Sequence, residues 1–170
     1  VRSIDQLLIS EFGLKRGLAD SSKITVKEKT SLQDGRTKDG RKLEATEYHR
    51  VQILDPAVGS GTFLVEVLRQ IYDKFKNQRG LWNSYVDEHL IQRINGFELL
   101  MAPYVIAHLK FSSFLIETGY TKSKHWQRVN IFLTNSLDPH QDEIRDLLMR
   151  ELNIESKEAN AVKENKPIMV

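Results

Sequence analysis

An apolar run, Val51-Gln52-Ile53-Leu54, leads into Asp55-Pro56-Ala57-Val58 and a Gly59-Ser60-Gly61 turn. A strongly helical stretch follows at once from Thr62. Strand, glycine turn and helix in that order fix the chain direction at three points. Glycines at 59 and 61 let the backbone take positive φ and approach a ligand closely. The helix behind them aims unpaired N–H groups and its positive dipole end at whatever lies above the turn. The segment reads as a nucleotide-cradling loop. It is not the dinucleotide fingerprint, because Thr62-Phe63-Leu64 supplies no third glycine, and the phosphate-loop pattern is also missing. A tight turn with no ligand is the plain alternative.

The 170 residues suit one domain. Hydrophobic residues make up 40% and charged residues 28%, as in ordinary globular proteins. A net charge of +2 neither demands nor excludes nucleic acid, since local patches matter more than the sum. The absence of cysteine rules out disulfides, thiolate metal sites and cysteine nucleophiles, and it fits a reducing cytoplasm, the compartment expected here. No stretch reaches the roughly 18 apolar residues of a membrane span, so no membrane partner is expected. Val1-Arg2-Ser3-Ile4-Asp5 is amphipathic and unlike a signal peptide. The missing initiator Met suggests a piece of something longer.

Residues 1–18 read as a helix on Ile4, Leu7, Leu8 and Phe12, ended by Gly13 or Gly17. Residues 23–50 read as a polar hairpin, with Ile24-Thr25-Val26 β-prone and Asp34-Gly35 and Asp39-Gly40 as turn dipeptides. A strand over 51–55 precedes a helix over 62–77, whose apolar face takes in Phe63, Leu64, Val67, Leu68, Ile71 and Phe75. A short helix at 83–92, a strand from Ile94 to Leu99, a long helix at 102–118 and a strand at 129–133 come next. Pro103 is tolerated in the first turn of the long helix, and Gly119 stops it. Residues 139–151 and 155–164 read as helical, and Pro167 to Val170 as the start of a fourth strand. Strands alternating with helices predict an α/β fold with a parallel sheet and right-handed crossovers.

Open parallel sheets bind ligands outside the carboxyl ends of their strands. Those ends carry Asp55 with the glycine turn, then Glu98, then Thr134, Asn135, Ser136 and Asp138. Glu98 suits a ribose, because one carboxylate accepts hydrogen bonds from two vicinal hydroxyls; pairing with a lysine is the alternative. The interval from Asp55 to Glu98 exceeds the roughly 20 residues of a simple dinucleotide fold, and the helix at 83–92 accounts for the excess. Asp55 can cap the turn's amides. Phe63 belongs to the core or else shapes a pocket. Asn135 and Asp138 compete as the acceptor after the third strand, and Asp138 can equally be a helix N-cap.

The string D-P-A-V-G-S-G-T-F-L resembles motif I of the S-adenosylmethionine-dependent DNA amino-methyltransferases, the adenine-modifying group in particular. Gly96-Phe97-Glu98-Leu99 resembles motif II, Leu133-Thr134-Asn135-Ser136-Leu137 motif III, and the opening helix the tail of motif X. The resemblance implies a Rossmann-like methyltransferase fold with a truncated sheet: a motif X-like helix in 1–22, a hairpin insertion in 23–50 and a cofactor-binding half in 51–170. It assigns S-adenosylmethionine to Asp55, Pro56, Ala57, Gly59, Ser60, Gly61, Thr62, Phe63, Glu98, Leu99, Asn135 and Ser136, with the acid of Asp55 near the methionine moiety and Asn135 at the adenine amine. That family positions its target base with an Asn-Pro-Pro-Tyr type segment after the fourth strand. No Asn-Pro-Pro occurs in this chain, so no catalytic residue is assigned. The implied whole is a bacterial restriction-modification enzyme joining nuclease, helicase and methylase in one polypeptide, with DNA as its partner. An RNA or protein-glutamine methyltransferase, or a non-catalytic α/β assembly module, are the competing readings.

The five histidines have no metal-ligand spacing, so no metal is expected. Ser60 lies outside any G-x-S-x-G pattern. Trp82 and Trp126 read as partly buried anchors. Lys23, Lys27, Lys29, Arg36, Lys38, Arg41 and Lys42 offer contacts to DNA phosphate. The interleaved Glu28, Asp34, Asp39 and Glu44 point instead to a solvated hairpin.

Overall fold

A computed structural model of the chain describes residues 1–33, 41–76, 78–121, 128–137 and 157–163; for residues 28–33, 41–44 and 79 it describes the backbone alone. The first helix, α1, spans Arg2–Ser10, shorter than the periodicity predicts. Gly13 takes φ +64°, and the Leu14 amide turns back to the Leu8 carbonyl at 3.0 Å, which ends the helix. A 3-10 turn at Gly17–Ala19 follows. Asp5 ties both pieces to the body: its Oδ1 accepts the Leu18 N–H at 2.7 Å and the Lys74 ammonium at 2.6 Å. The fully buried Arg93 fastens the same turn by donating to the carbonyls of Leu18 and Asp20 and to the Tyr85 hydroxyl.

Strands β1 (Lys23–Gln33) and β2 (Arg41–His49) pair antiparallel as a sheet of their own, with Lys23 opposite His49 and a register shift between Lys29 and Gln33. The hairpin is as expected; its two Asp-Gly dipeptides lie outside the described residues. Its base is held by the Arg50 amide on the Ser22 carbonyl at 2.8 Å and by a His49 Nε2 to His89 Nδ1 contact of 2.9 Å. Lys23 and Lys27 are exposed; the side chains of the hairpin's other basic residues lie outside the described set.

The main sheet has three parallel strands in the order β3-β4-β5: Ile53–Asp55, Ile94–Glu98 and Asn130–Leu133. Helix α2 (Thr62–Asp73) follows β3. The segment expected to be helical at 83–92 starts earlier: α3 (Arg79–Tyr85) runs through a π turn (Val86–Leu90) into α4 (Ile91–Arg93). Helix α5 (Met101–Glu117) connects β4 towards β5, with Pro103 in its first turn and Gly119 (φ +79°) after its end, as predicted. Alternate strand residues point to opposite faces. Ile53, Ile94 and Ile131 join Leu64, Leu68, Ile71, Phe111 and Leu115 in the larger core beneath α2 and α5. Phe97 and Phe132 face the other way and pack with Ala159 and Val162 of α6, residues 157–163. Helices therefore cover both faces of a parallel sheet, the α/β arrangement that the alternation predicted. The segments 139–151 and 167–170, and Trp126, lie outside the described residues. Among the described residues no helix is long and apolar enough to cross a membrane.

Candidate functional site

The carboxyl ends of the three strands meet on one rim. The Asp55–Gly61 loop leaves β3 and folds back over β4, where the Val58 N–H donates to the Phe97 carbonyl at 2.9 Å. Gly96 makes this approach feasible. A Cβ there would sit 2.4 Å from Val58 Cγ2 and 3.3 Å from Leu64 Cδ1, so no side chain fits beneath the loop. At the far end Gly61 takes φ +78° as the N-cap of α2, and a Cβ on it would lie 3.1 Å from Ala107 of α5. The loop is thus clamped between β4 and α5 by positions that admit only small residues.

Glu98 closes the clamp. Its Oε2 accepts the Gly59 N–H at 2.7 Å and its Oε1 the Leu100 N–H at 2.8 Å. The carboxylate therefore stands on the same rim as the glycine turn. Its residue is only 9% exposed. An ionised carboxylate offers about four acceptor positions, and the two amides leave the others for a ligand. On the neighbouring strand, the Thr134 N–H bonds the Glu98 carbonyl at 2.8 Å, which brings the end of β5 alongside.

Asp55 Oδ1 accepts the Ala57 N–H at 3.1 Å, so the acid does cap its own turn. Its Oδ2 is buried with no hydrogen-bond partner among the described residues. A buried acceptor without a donor costs about 1–3 kcal/mol, so a donor group that reaches this oxygen gains a hydrogen bond that the fold leaves unmade. Pro56 and Ala57 form the exposed back of the turn. Asn135 Oδ1 accepts the Leu137 N–H at 3.0 Å, while the Asn135 carbonyl takes the Lys163 ammonium at 2.8 Å. Ser136 is exposed beside it, Leu99 forms an exposed apolar lip after Glu98, and Asp138 lies outside the described residues.

Phe63 does not join the core that helical spacing predicts for it. It is 73% exposed, whereas Leu64, Leu68 and Ile71 are buried. One residue before Leu64, it stands about 100° round the helix from the inward stripe, given 3.6 residues per turn. It lines an open groove of about 710 Å³ that runs along the flank of α2 past Thr62, Glu66, Arg69 and Lys110 to Arg2. The groove meets the rim only at its Thr62–Phe63 end; Asp55 and Glu98 lie outside it. The rim, not the groove, concentrates the acceptors and the uncapped helix end.

Lys110 is the residue that sequence reasoning missed. From α5 its ammonium donates to Ser60 Oγ at 3.1 Å and stands 3.4 Å from Thr62 Oγ1, over the glycine turn. No acidic residue occupies the first turn of α2 and no side chain caps it. The start of α2 and the Lys110 ammonium therefore face the loop mouth, while Asp55 and the β4 side present carboxylate. The signal was present: Lys110 is the one charged residue between Met101 and Ile116. Among the described residues, no three His, Asp or Glu side chains converge as metal ligands.

The chain is thus an α/β protein whose strand ends and glycine turn build one polar rim. No protein-family model matches it, and neither does any curated protein sequence. Its fold is nevertheless shared with parts of much larger solved structures. In a nuclease-deletion mutant of the Type ISP restriction-modification enzyme LlaGI, in complex with a DNA substrate mimic, the match covers 96% of this chain at TM-score 0.57 and 19% identity. In the ATP-dependent Type ISP restriction-modification enzyme LlaBIII bound to DNA, it covers 98% at TM-score 0.58 and 17% identity. In the DrdV–DNA complex it covers 94% at TM-score 0.54 and 22% identity. The chain spans 11%, 9% and 12% of those chains respectively.

Proposed function

We propose that the rim binds S-adenosylmethionine and that the chain is the cofactor-binding part of a DNA adenine methyltransferase domain in a restriction-modification enzyme. The observation that carries the reading is the placement of Glu98 against the Gly59 amide at 2.7 Å. A strand-end carboxylate touching the glycine turn has the position from which a nucleoside's two ribose hydroxyls are held. Three features of the chain suit such a ligand. The remaining acceptor positions of Glu98 match the ribose. The unpartnered Asp55 Oδ2 suits the ammonium of the methionine moiety. The uncapped start of α2, with Gly59, Ser60 and Gly61 before it, lets the ligand approach the backbone closely. Phe63 and Leu99 add exposed apolar surface at the two ends of the rim. Asn135, though engaged in its own turn, keeps a second lone pair on Oδ1 for the adenine amine.

When bound, the cofactor supplies a methyl group on a sulfonium centre. The residues of this chain orient it and hold its polar groups; orientation and fixed dipoles are what a displacement at carbon asks of a protein. No Asn-Pro-Pro segment occurs in the 170 residues, so the chain by itself is expected to bind the cofactor without methylating DNA. The fold-level likeness to two Type ISP restriction-modification enzymes with DNA supports the wider assignment.

Isothermal titration calorimetry tests the binding. The chain is expected to bind S-adenosylmethionine and not NAD. Loss of charged hydrogen bonds worth about 1.5–3 kcal/mol in Glu98→Ala should weaken binding at least about tenfold. A folded chain that ignores S-adenosylmethionine, or a Glu98→Ala variant with unchanged affinity, refutes the reading.

A further inference from the structure

The inner face of α5 is built from Ala107, Phe111, Phe114 and Leu115, all buried. Its outer face is apolar as well. Met101, Val105, Ile106, Leu109 and Ile116 are all exposed, Leu109 at 62% and Ile116 at 73%. Only Ala102, Ser112 and Ser113 lie between them, and the charges of Lys110 and Glu117 fall along one edge. A helix that is apolar all round belongs in an interior. Here one side is left bare, a patch on the order of 500 Å², at the size that marks an interaction surface.

We propose that this face is a two-fold interface between copies of the chain, formed by α5 packing antiparallel on itself. Large and small side chains are distributed along the stripe in a self-complementary pattern. A two-fold axis at Leu109 sets Ile116 of one copy against Ala102 of the other. It sets Val105 against Ser113, and Ile106 against Ser112. Each pairing puts a large side chain against a small one, which lets two helix surfaces interdigitate at close range. A two-fold interface must be self-complementary in this way. No charge falls among these pairs; at the margin of the stripe the same axis sets Met101 against Glu117. The area points to the same occupant: two such faces, with the exposed Leu100 beside them, remove on the order of 1,100 Å², just above the roughly 1,000 Å² that a biological interface should clear. An interface at this end of the size range suits a reversible dimer.

Two variants test it on the whole 170-residue chain. Sedimentation velocity from about 1 µM to about 100 µM should show a reversible monomer–dimer equilibrium. Leu109→Glu places two carboxylates together on the axis and should yield monomer across that range, with an unchanged circular dichroism spectrum because the position is exposed. The chain has no cysteine, so the double variant Val105→Cys/Ser113→Cys reports geometry cleanly. Within one helix these positions are about 12 Å apart, too far for a disulfide, which needs Cα atoms within about 7 Å. Across the axis they meet, and mild oxidation should link chains in pairs. A chain that stays monomeric, a dimer indifferent to Leu109→Glu, or a double variant that does not cross-link overturns the proposal.

Discussion

Replacing Gly96 by Ala probes how the loop is held over β4. The new methyl would lie 2.4 Å from Val58 Cγ2, where ordinary contact begins near 3.4 Å. Val58 must therefore retreat by about 1 Å, and Val58 is part of the glycine loop itself. Its N–H bond to the Phe97 carbonyl, 2.9 Å long, is stretched by the same movement. Overpacking of this kind costs about 1–3 kcal/mol and a weakened backbone hydrogen bond about 1 kcal/mol more. Gly96→Ala should thus lose about 2–4 kcal/mol in urea denaturation, through the midpoint and not the slope. The second half of the test is a cycle with Val58→Ala, which removes the clashing methyl. Alone, that truncation empties a buried site and costs about 2 kcal/mol. Together the two changes should fall short of additivity by at least about 1.5 kcal/mol, because each relieves the other. Additive effects, or a Gly96→Ala chain as stable as the parent, would refute the packing argument.

Three further outcomes follow from the same geometry. Glu98→Gln turns one acceptor into a donor facing a backbone N–H, so the Gly59 or Leu100 amide loses its partner; stability should drop by about 1–3 kcal/mol, and exchange of the freed amide, followed by NMR, should accelerate. Arg93→Met strips the carbonyls of Leu18 and Asp20 of their donor inside the core, and should cost about 1–3 kcal/mol in denaturant melts; a change below about 0.5 kcal/mol would contradict the role given to Arg93. Burial, and then the positive charge of His89, Arg93 and Lys23, holds the His49 imidazole down at about 4 against an ordinary 6.5. The unfolded chain takes up that proton as pH falls through 6.5 and the folded chain only near 4, so the contribution to stability is intact above pH 6.5 and declines between 6.5 and 4. Melts at several pH values should show this decline, with a shallower slope in His49→Gln; an unchanged slope in that variant would contradict the assignment.

Much of the architecture is legible along the chain because its determinants are local. The apolar runs before Asp55 and Glu98, the glycine turn and the helix from Thr62 each occupy a few consecutive residues, and β3, β4, α2 and α5 form where those signals stand. Glu98 can be placed on the rim because a strand's end is a position in sequence. What cannot be read locally is contact. Gly13 and Gly17 were equal candidates to end α1; Gly13 ends it, while Gly17 lets the chain pass close to Asp5. Phe63 looked like a core residue because helical spacing includes it, yet at the second position of α2 it stands off the sheet. The grip of Glu98 on the Gly59 amide and the reach of Lys110 over Ser60 join residues 39 and 50 positions apart. No pattern within a single element encodes such pairs.

A cofactor-binding rim requires that the carboxylate anchoring the loop also grip a ribose. The most direct measurement is a crystal structure of the chain with S-adenosylhomocysteine, the stable product of methyl transfer. Both ribose hydroxyls should lie within about 3.2 Å of the Glu98 carboxylate oxygens, with the amino-acid tail's ammonium on Asp55 Oδ2. A nucleoside found elsewhere on the chain, or lying over the glycine turn with its ribose out of reach of Glu98, would contradict it.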